Sequence, residues 1–214
     1  MEAAALVLYG IWFAFAFGVR IALQVRHTGS SGVRGVAAGA GALEWLAGVL
    51  FVAGLACGVA APLLALLGVV EPIGAVDGLA ANALGVALAV SGIVLTFLAQ
   101  LAMGDDWRIG VDPEERTGLV TDGPFRLVRN PIYSAMLPAV LGLGLMVPSA
   151  VSLVGLLTVT IGLELQVRAV EEPYLLRTHG RDYADYAARV GRFIPGIGRR
   201  PACDRPVQRS VRSS

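Results

Sequence analysis

From Trp45 to Val70 the chain runs without a charged side chain, and from Leu79 to Met103 it does so again. A helix rises about 1.5 Å per residue, so about 20 apolar residues cross the roughly 30 Å hydrocarbon layer of a bilayer. Backbone amides and carbonyls in lipid have no water to bond, so such a run must satisfy them internally, as a helix does. The full apolar runs are Ala3 to Leu23, Leu43 to Val70, Leu79 to Met103, Ile132 to Val147 and Ala150 to Val167. The last two are short and are separated by Pro148 and Ser149, which predicts a tight helical hairpin, tilted or seated in a locally thinned membrane. Of 214 residues, 56% are hydrophobic and 15% charged, and mean hydropathy is +0.69. Soluble domains carry about a quarter charged residues. The expected fold is therefore all-α, an integral membrane helical bundle of about five transmembrane helices with a cytoplasmic C-terminal helical segment. The first run opens with Glu2 rather than a basic stretch, so it reads as a span and not as a cleaved signal.

Orientation follows from arginine placement. All 17 basic side chains are Arg, since the chain has no Lys. Arg26 and Arg34 follow the first run, Arg108, Arg116, Arg126 and Arg129 follow the third, and Arg168 opens a basic C-terminal segment, whereas the stretch from Glu71 to Gly78 has no arginine. The N-terminus is thus expected outside and the C-terminus in the cytoplasm, with Arg20 snorkelling to the cytoplasmic interface. A net charge of +1 offers no broad basic field, so nucleic acid is not an expected partner. Cys57, Cys203, His27 and His179 are isolated, which leaves neither a disulfide scaffold nor a metal cluster. Gly48, Gly54, Gly58, Gly85 and Gly92 read as close-packing positions between spans, Gly54 and Gly58 as a small-xxx-small pair. The expected division is residues 1–103 as three spans, 104–195 as the region carrying the chemistry, and 196–214 as a flexible Arg/Pro/Ser-rich tail.

The polar segments are more specific than hydropathy requires. Gly123-Pro124 predicts a turn, and Pro131 steers Asn130 out of the helical region, so the fourth span starts with Asn130 as N-cap and Pro131 as its first residue. Free backbone N–H groups there, with Arg129 beside them, favour an anionic ligand group; equally, Asn130 caps its own helix while Arg129 faces lipid phosphate. Arg168 stands three and four residues before Glu171 and Glu172, a spacing that allows intrahelical ion pairs. A carboxylate of that pair facing a pocket would suit ribose hydroxyls or an ammonium. Tyr183, Tyr186 and Val190 share a helical face, read as packing. These patterns define a five-span membrane protein with a pocket at its cytoplasmic surface, and no reaction.

The stretch from Leu119 to Tyr133, LVTDGPFRLVRNPIY, followed by EEPYLLRTHGRDYADYAARVGRFIP from Glu171 to Pro195, resembles the isoprenylcysteine carboxyl methyltransferase family, which is related to phospholipid methyltransferases. The resemblance covers roughly Gly104 to Pro195. It implies an integral-membrane methyltransferase that uses S-adenosyl-L-methionine and acts on a lipophilic small molecule or a lipid-linked acceptor such as an isoprenylcysteine, whether carboxylate, thiol or amine. Carried over by position, the cofactor contacts are Thr117, Gly118, Leu119, Val120, Phe125, Asn130, Pro131, Ile132, Tyr133 and Glu171, and Arg168 is the nearest match to an arginine associated with substrate. Asn130 stands where many members have His, and Phe125 where many have Tyr. No metal is implied, membrane lipid is a further partner, and no protein partner is inferable. Methyl transfer to a carboxylate or thiolate needs no general base, whereas an amine acceptor asks for one such as Glu171 or Glu172. Two other readings stay open: a non-catalytic membrane protein that retains the fold for binding or assembly, and a membrane lipid or isoprenoid reductase with a nicotinamide cofactor, although no Gly-x-Gly-x-x-Gly fingerprint is present.

Overall fold

The computed structural model describes residues 1–33, 41–74, 76–108, 110 and 118–200. Five apolar helices carry the fold: α1 (Glu2–Thr28), α2 (Ala42–Leu66), α3 (Leu79–Ala102), α4 (Pro131–Met146) and α5 (Ala150–Leu165). A polar helix, α6 (Glu172–Arg189), follows α5 through a π-helical turn at Gln166–Glu171. The membrane-crossing part of this 40-residue helical stretch, which kinks at Gly180, is its apolar half, which ends at Leu165. Among the described residues there is no strand; an isolated parallel bridge joins Val128 and Gly191. Lipid explains the inverted surface: Val52, Leu84, Leu95, Leu98, Leu153 and Leu157 each leave over half their area uncovered. The protein is an integral membrane helical bundle.

Small residues decide which helices pair, because dispersion rather than hydrophobic exclusion holds spans together in lipid and rewards close backbones. α3 lies against α4, where a Cβ on Gly92 would sit 2.5 Å from the Ala139 backbone nitrogen. α2 lies against α5, where a Cβ on Gly155 would sit 2.9 Å from Cys57 Cβ. Gly54 and Gly58 serve different partners: Gly54 receives Val159 of α5, and Gly58 receives the ring of Tyr9, whose hydroxyl donates to Leu55 O at 2.8 Å. α1 thereby joins the two pairs, with Trp12 wholly buried among α3 and α4 side chains. The α4–α5 turn is closed by Ser149, which accepts from the Ser152 amide at 3.2 Å as the N-cap of α5.

At the polar end of the bundle, two expectations change. Arg20 does not snorkel to an interface; it is buried, donates to Gly104 O and lies 4.6 Å over the Trp107 ring. The corner after α3 folds back onto α1 and offers acceptors there, and Gln24 Nε2 takes another, Asp105 O, at 2.7 Å. The residues from Gly196 to Arg200, expected at the head of a flexible tail, are docked: Gly198 O accepts from Arg129, and the Arg200 amide donates to Ala187 O at 3.0 Å. The remaining tail, with Cys203, lies outside the described residues.

Candidate functional site

A cavity of about 370 Å³ opens at the polar end, where α1, α2, α3 and α5 meet the segments that flank α4. Its inner part is apolar and built on spans, with Ala16 and Phe17 from α1, Ala47 and Phe51 from α2, and Leu163 from α5. Its outer part is polar and aromatic, with Asp106, Trp107 and Arg108 after α3, then the loop from Gly118, and Tyr174 on α6.

One wall is the stretch that leads into α4. Asp106 Oδ1 accepts from the Gly118 amide at 3.2 Å and fixes where the loop re-enters; Gly118, Leu119 and Val120 then line the cavity. Phe125 is buried, and its carbonyl accepts from Tyr186 Oη at 2.6 Å, which ties the loop to α6. α4 starts at Pro131 as the sequence predicts, with Asn130 in the N-cap position, but the Asn130 side chain makes no cap bond. Its Nδ2 donates to Arg192 O at 3.1 Å instead, leaving the Ile132 and Tyr133 amides uncapped beside the cavity. Arg129 borders the cavity, but it is buried and committed to the protein's own acceptors, donating to the carbonyls of Ala187, Val190 and Gly198 and to Glu172.

The opposite wall is the π-helical turn. Successive residues of a helix point about 100° apart, and here that separates two neighbouring carboxylates. Glu171 lines the cavity and accepts from Tyr133 Oη at 2.6 Å. Burial pushes the Glu171 carboxyl above its ordinary range, partly opposed by hydrogen bonds from Tyr133 and Gln166. Glu172 is 3% exposed and meets three guanidinium groups, those of Arg129 at 2.7 Å, Arg192 at 2.8 Å and Arg200 at 3.2 Å. Burial pushes the Glu172 carboxyl up, but hydrogen bonds from Arg192 and Arg129 more than reverse this and hold it below its usual value. Neither glutamate pairs with Arg168, whose exposed side chain bonds Glu164 one turn back and does not reach the cavity. π-helical turns collect at functional sites, and a second one, Ala14–Val19 in α1, also meets this cavity through Ala16 and Phe17.

Gly118, Leu119, Val120, Phe125, Asn130, Pro131, Ile132, Tyr133 and Glu171 all line the one cavity. Thr117 lies outside the described residues. Sequence reasoning did not name Gln100 and Gln166, and it placed Trp107, Arg108 and Tyr174 in the polar segments expected to build a pocket without giving any of them a role. Gln100 was findable, as an amide at the end of an apolar span. It is buried, its Nε2 donates to Ala16 O at 3.0 Å, and its Oε1 has no partner. Arg108 stacks 5.3 Å over the Tyr174 ring and donates to its hydroxyl at 3.3 Å, a pairing across 66 residues that no local pattern announces. Among the described residues no group of His, Cys, Asp and Glu is placed to hold a metal.

The fold and site define a membrane-embedded helical protein with a small-molecule cavity closed by the loop before α4 and the segment after α5. Residues 80–182 match the family described as phospholipid methyltransferase. Protein-S-isoprenylcysteine O-methyltransferase B of Arabidopsis thaliana is 29% identical over 115 residues, which is 53% of this chain and 58% of that protein. Cobalt-zinc-cadmium resistance protein CzcN of Cupriavidus metallidurans is 32% identical over 129 residues, 56% of this chain and 54% of that protein. The chain thus spans little more than half the length of these curated relatives. The solved structure of the eukaryotic intramembrane Ras methyltransferase ICMT shares the fold, with a TM-score of 0.60 at 18% identity, covering 91% of this chain and 68% of that one. Over the matched region the chain is thus similar in sequence to phospholipid and isoprenylcysteine methyltransferases, and it shares its fold with the solved ICMT structure.

Proposed function

We propose that this protein is an integral-membrane methyltransferase that binds S-adenosyl-L-methionine in the cavity and methylates a lipophilic small-molecule or lipid-linked acceptor. The observation that carries this reading is the convergence, in one cavity, of Glu171, Tyr133 and the uncapped start of α4. The donor set suits the cofactor's groups. The Glu171 carboxylate accepts from hydroxyl or ammonium groups, the amides of Ile132 and Tyr133 and the Arg108 guanidinium suit a carboxylate, and Trp107 and Phe125 offer aromatic surface. Gln100 Oε1, buried and without a partner, suits one more donor. When bound, the cofactor supplies an electrophilic methyl group on a sulfonium.

The chain's own work is alignment and exclusion of water. Phe51, Leu163 and Ala47 form an apolar floor for the acceptor's hydrocarbon. A carboxylate or thiolate acceptor needs no base. An amine acceptor must lose a proton, and Glu171 is the group for it, because burial raises its proton affinity while three arginines keep Glu172 ionised. Arg168, exposed and paired with Glu164, is left to act on an acceptor outside the cavity mouth.

The polar end faces the cytoplasm in this reading, supported by Arg26, Arg108, Arg126 and Arg168 at that end. A reporter fused after Ser214 is expected to read cytoplasmic, and an external reading refutes the orientation. The function is tested by calorimetric titration of the detergent-purified protein with S-adenosyl-L-methionine, S-adenosylhomocysteine as competitor and Glu171→Ala as control. Saturable, competed binding that the variant loses is expected. Binding of a nicotinamide cofactor instead would establish the reductase reading, and binding of neither the non-catalytic one.

A further inference from the structure

The motif's two glutamates have separate tasks: both border the cavity, but the carboxylate of Glu172 is committed to arginines. Both its oxygens are occupied. Oε1 accepts from Arg129 and from Arg192 Nε at 2.8 Å, and Oε2 accepts from Arg192 at 3.0 Å and from Arg200 at 3.2 Å. Arg129 belongs to the turn before α4, while Arg192 and Arg200 belong to the chain after α6. One buried carboxylate at the start of α6 therefore fastens two other segments, the turn before α4 and the chain after α6.

The chain after α6, residues 190–200, runs behind the cavity wall as a strap. Gly191 O accepts from the Arg129 amide at 2.8 Å, and Arg192 O from the Asn130 amide at 3.1 Å. Phe193 O accepts from Ser134 Oγ at 2.8 Å. Residues 191–200 do not line the cavity, yet they hold the backbone of the residues that do. Apolar burial does not secure the strap, for Ile194 and Ile197 are 57% and 62% exposed. Its attachment is polar and centres on Glu172. Without that carboxylate, the buried Arg129 guanidinium would face Arg192 and Arg200 with no counter-charge, and like charges in a desolvated site repel strongly.

We propose that Glu172 is a positioning residue: it clamps the strap behind the turn at Arg129 and Asn130, and so holds the α4 start in the geometry that binds the cofactor. The proposal rests on the methyltransferase reading for its ligand, but the clamp has a readout that needs no ligand. The experiment compares Glu172→Gln, Glu172→Asp and Glu171→Gln in the full chain in detergent. It measures backbone hydrogen exchange across residues 126–134 and across α2 and α5, together with the Kd for S-adenosylhomocysteine. Glu172→Gln is expected to speed exchange at Arg129 and Asn130 and to weaken the ligand by roughly tenfold, with α2 and α5 unchanged. Glu172→Asp should restore part of both effects, and Glu171→Gln should weaken the ligand with exchange unchanged.

The proposal is overturned if Glu172→Gln leaves exchange at Arg129 and Asn130 as in the unmutated protein. It is also overturned if exchange rises equally in α2 and α5, or rises locally with the Kd unmoved. Should Glu172→Gln not fold, Arg200→Ala removes only the outermost guanidinium and must give a smaller shift in the same direction. No ligand binding by the unmutated protein refutes the methyltransferase reading, and exchange then decides the clamp by itself.

Discussion

Replacing Tyr133 by Phe removes one oxygen and leaves the ring that lines the cavity. The lost hydroxyl donates to Glu171 Oε1 at 2.6 Å. A hydrogen bond to a charged group contributes about 1.5–3 kcal/mol. The ring that lines the cavity is kept in the variant, so the lower end of that range applies. About 1.4 kcal/mol of lost ordering corresponds to about tenfold weaker S-adenosyl-L-methionine binding. The variant carries a second signature. The Tyr133 bond lowers the Glu171 pKa against burial, so removing it raises that pKa further. Affinity that requires ionised Glu171 is then lost at a higher pH as acid is added. Calorimetric titration across about pH 5 to 8 measures both quantities. An unchanged Kd, or a midpoint moved toward lower pH, would refute the assignment of Glu171 as a cofactor contact oriented by Tyr133.

Three further outcomes are expected. Gly92→Leu sets a Cβ 2.5 Å from the Ala139 backbone nitrogen and must part α3 from α4, destabilising by about 3 kcal/mol or more, whereas Gly10→Ala, with open space around it, is neutral; thermal unfolding in detergent compares them. Glu172 titrates below its ordinary 4.5 in the folded protein, so its stabilisation is complete above that pH and is lost as pH falls through the depressed folded value; Glu172→Gln should flatten this acid limb of the stability curve. Arg168→Ala should leave S-adenosyl-L-methionine affinity unchanged, since that side chain is exposed, bonds Glu164 and does not line the cavity, and a weaker Kd would place it in the cofactor site.

Local pattern accounts for what was legible in advance. Each apolar run became a helix at nearly the expected bounds, because lipid leaves a backbone few other ways to satisfy its polar groups. Pro131 at the first helical position was equally readable, since the ring sets φ and the missing N–H has no partner at a helix start. Asn130 shows where such reasoning stops. Its position was right and its bond was not, because the competing acceptor, Arg192 O, arrives from 62 residues away.

The sequence by itself determined the five spans and the turn into α4, which follow from short-range preferences, and its motif named a part of the residues that line the cavity. Only the tertiary structure decided what each charge does there. Arg20 is drawn inward to Gly104, Arg129 is bound to the strap, Arg168 is left outside, and Glu171 and Glu172 are given different partners, Tyr133 for the one and arginines for the other. A long charged side chain takes its direction from the nearest partner in a poorly solvated space, and every one of those partners except Glu164 lies on another segment of the chain.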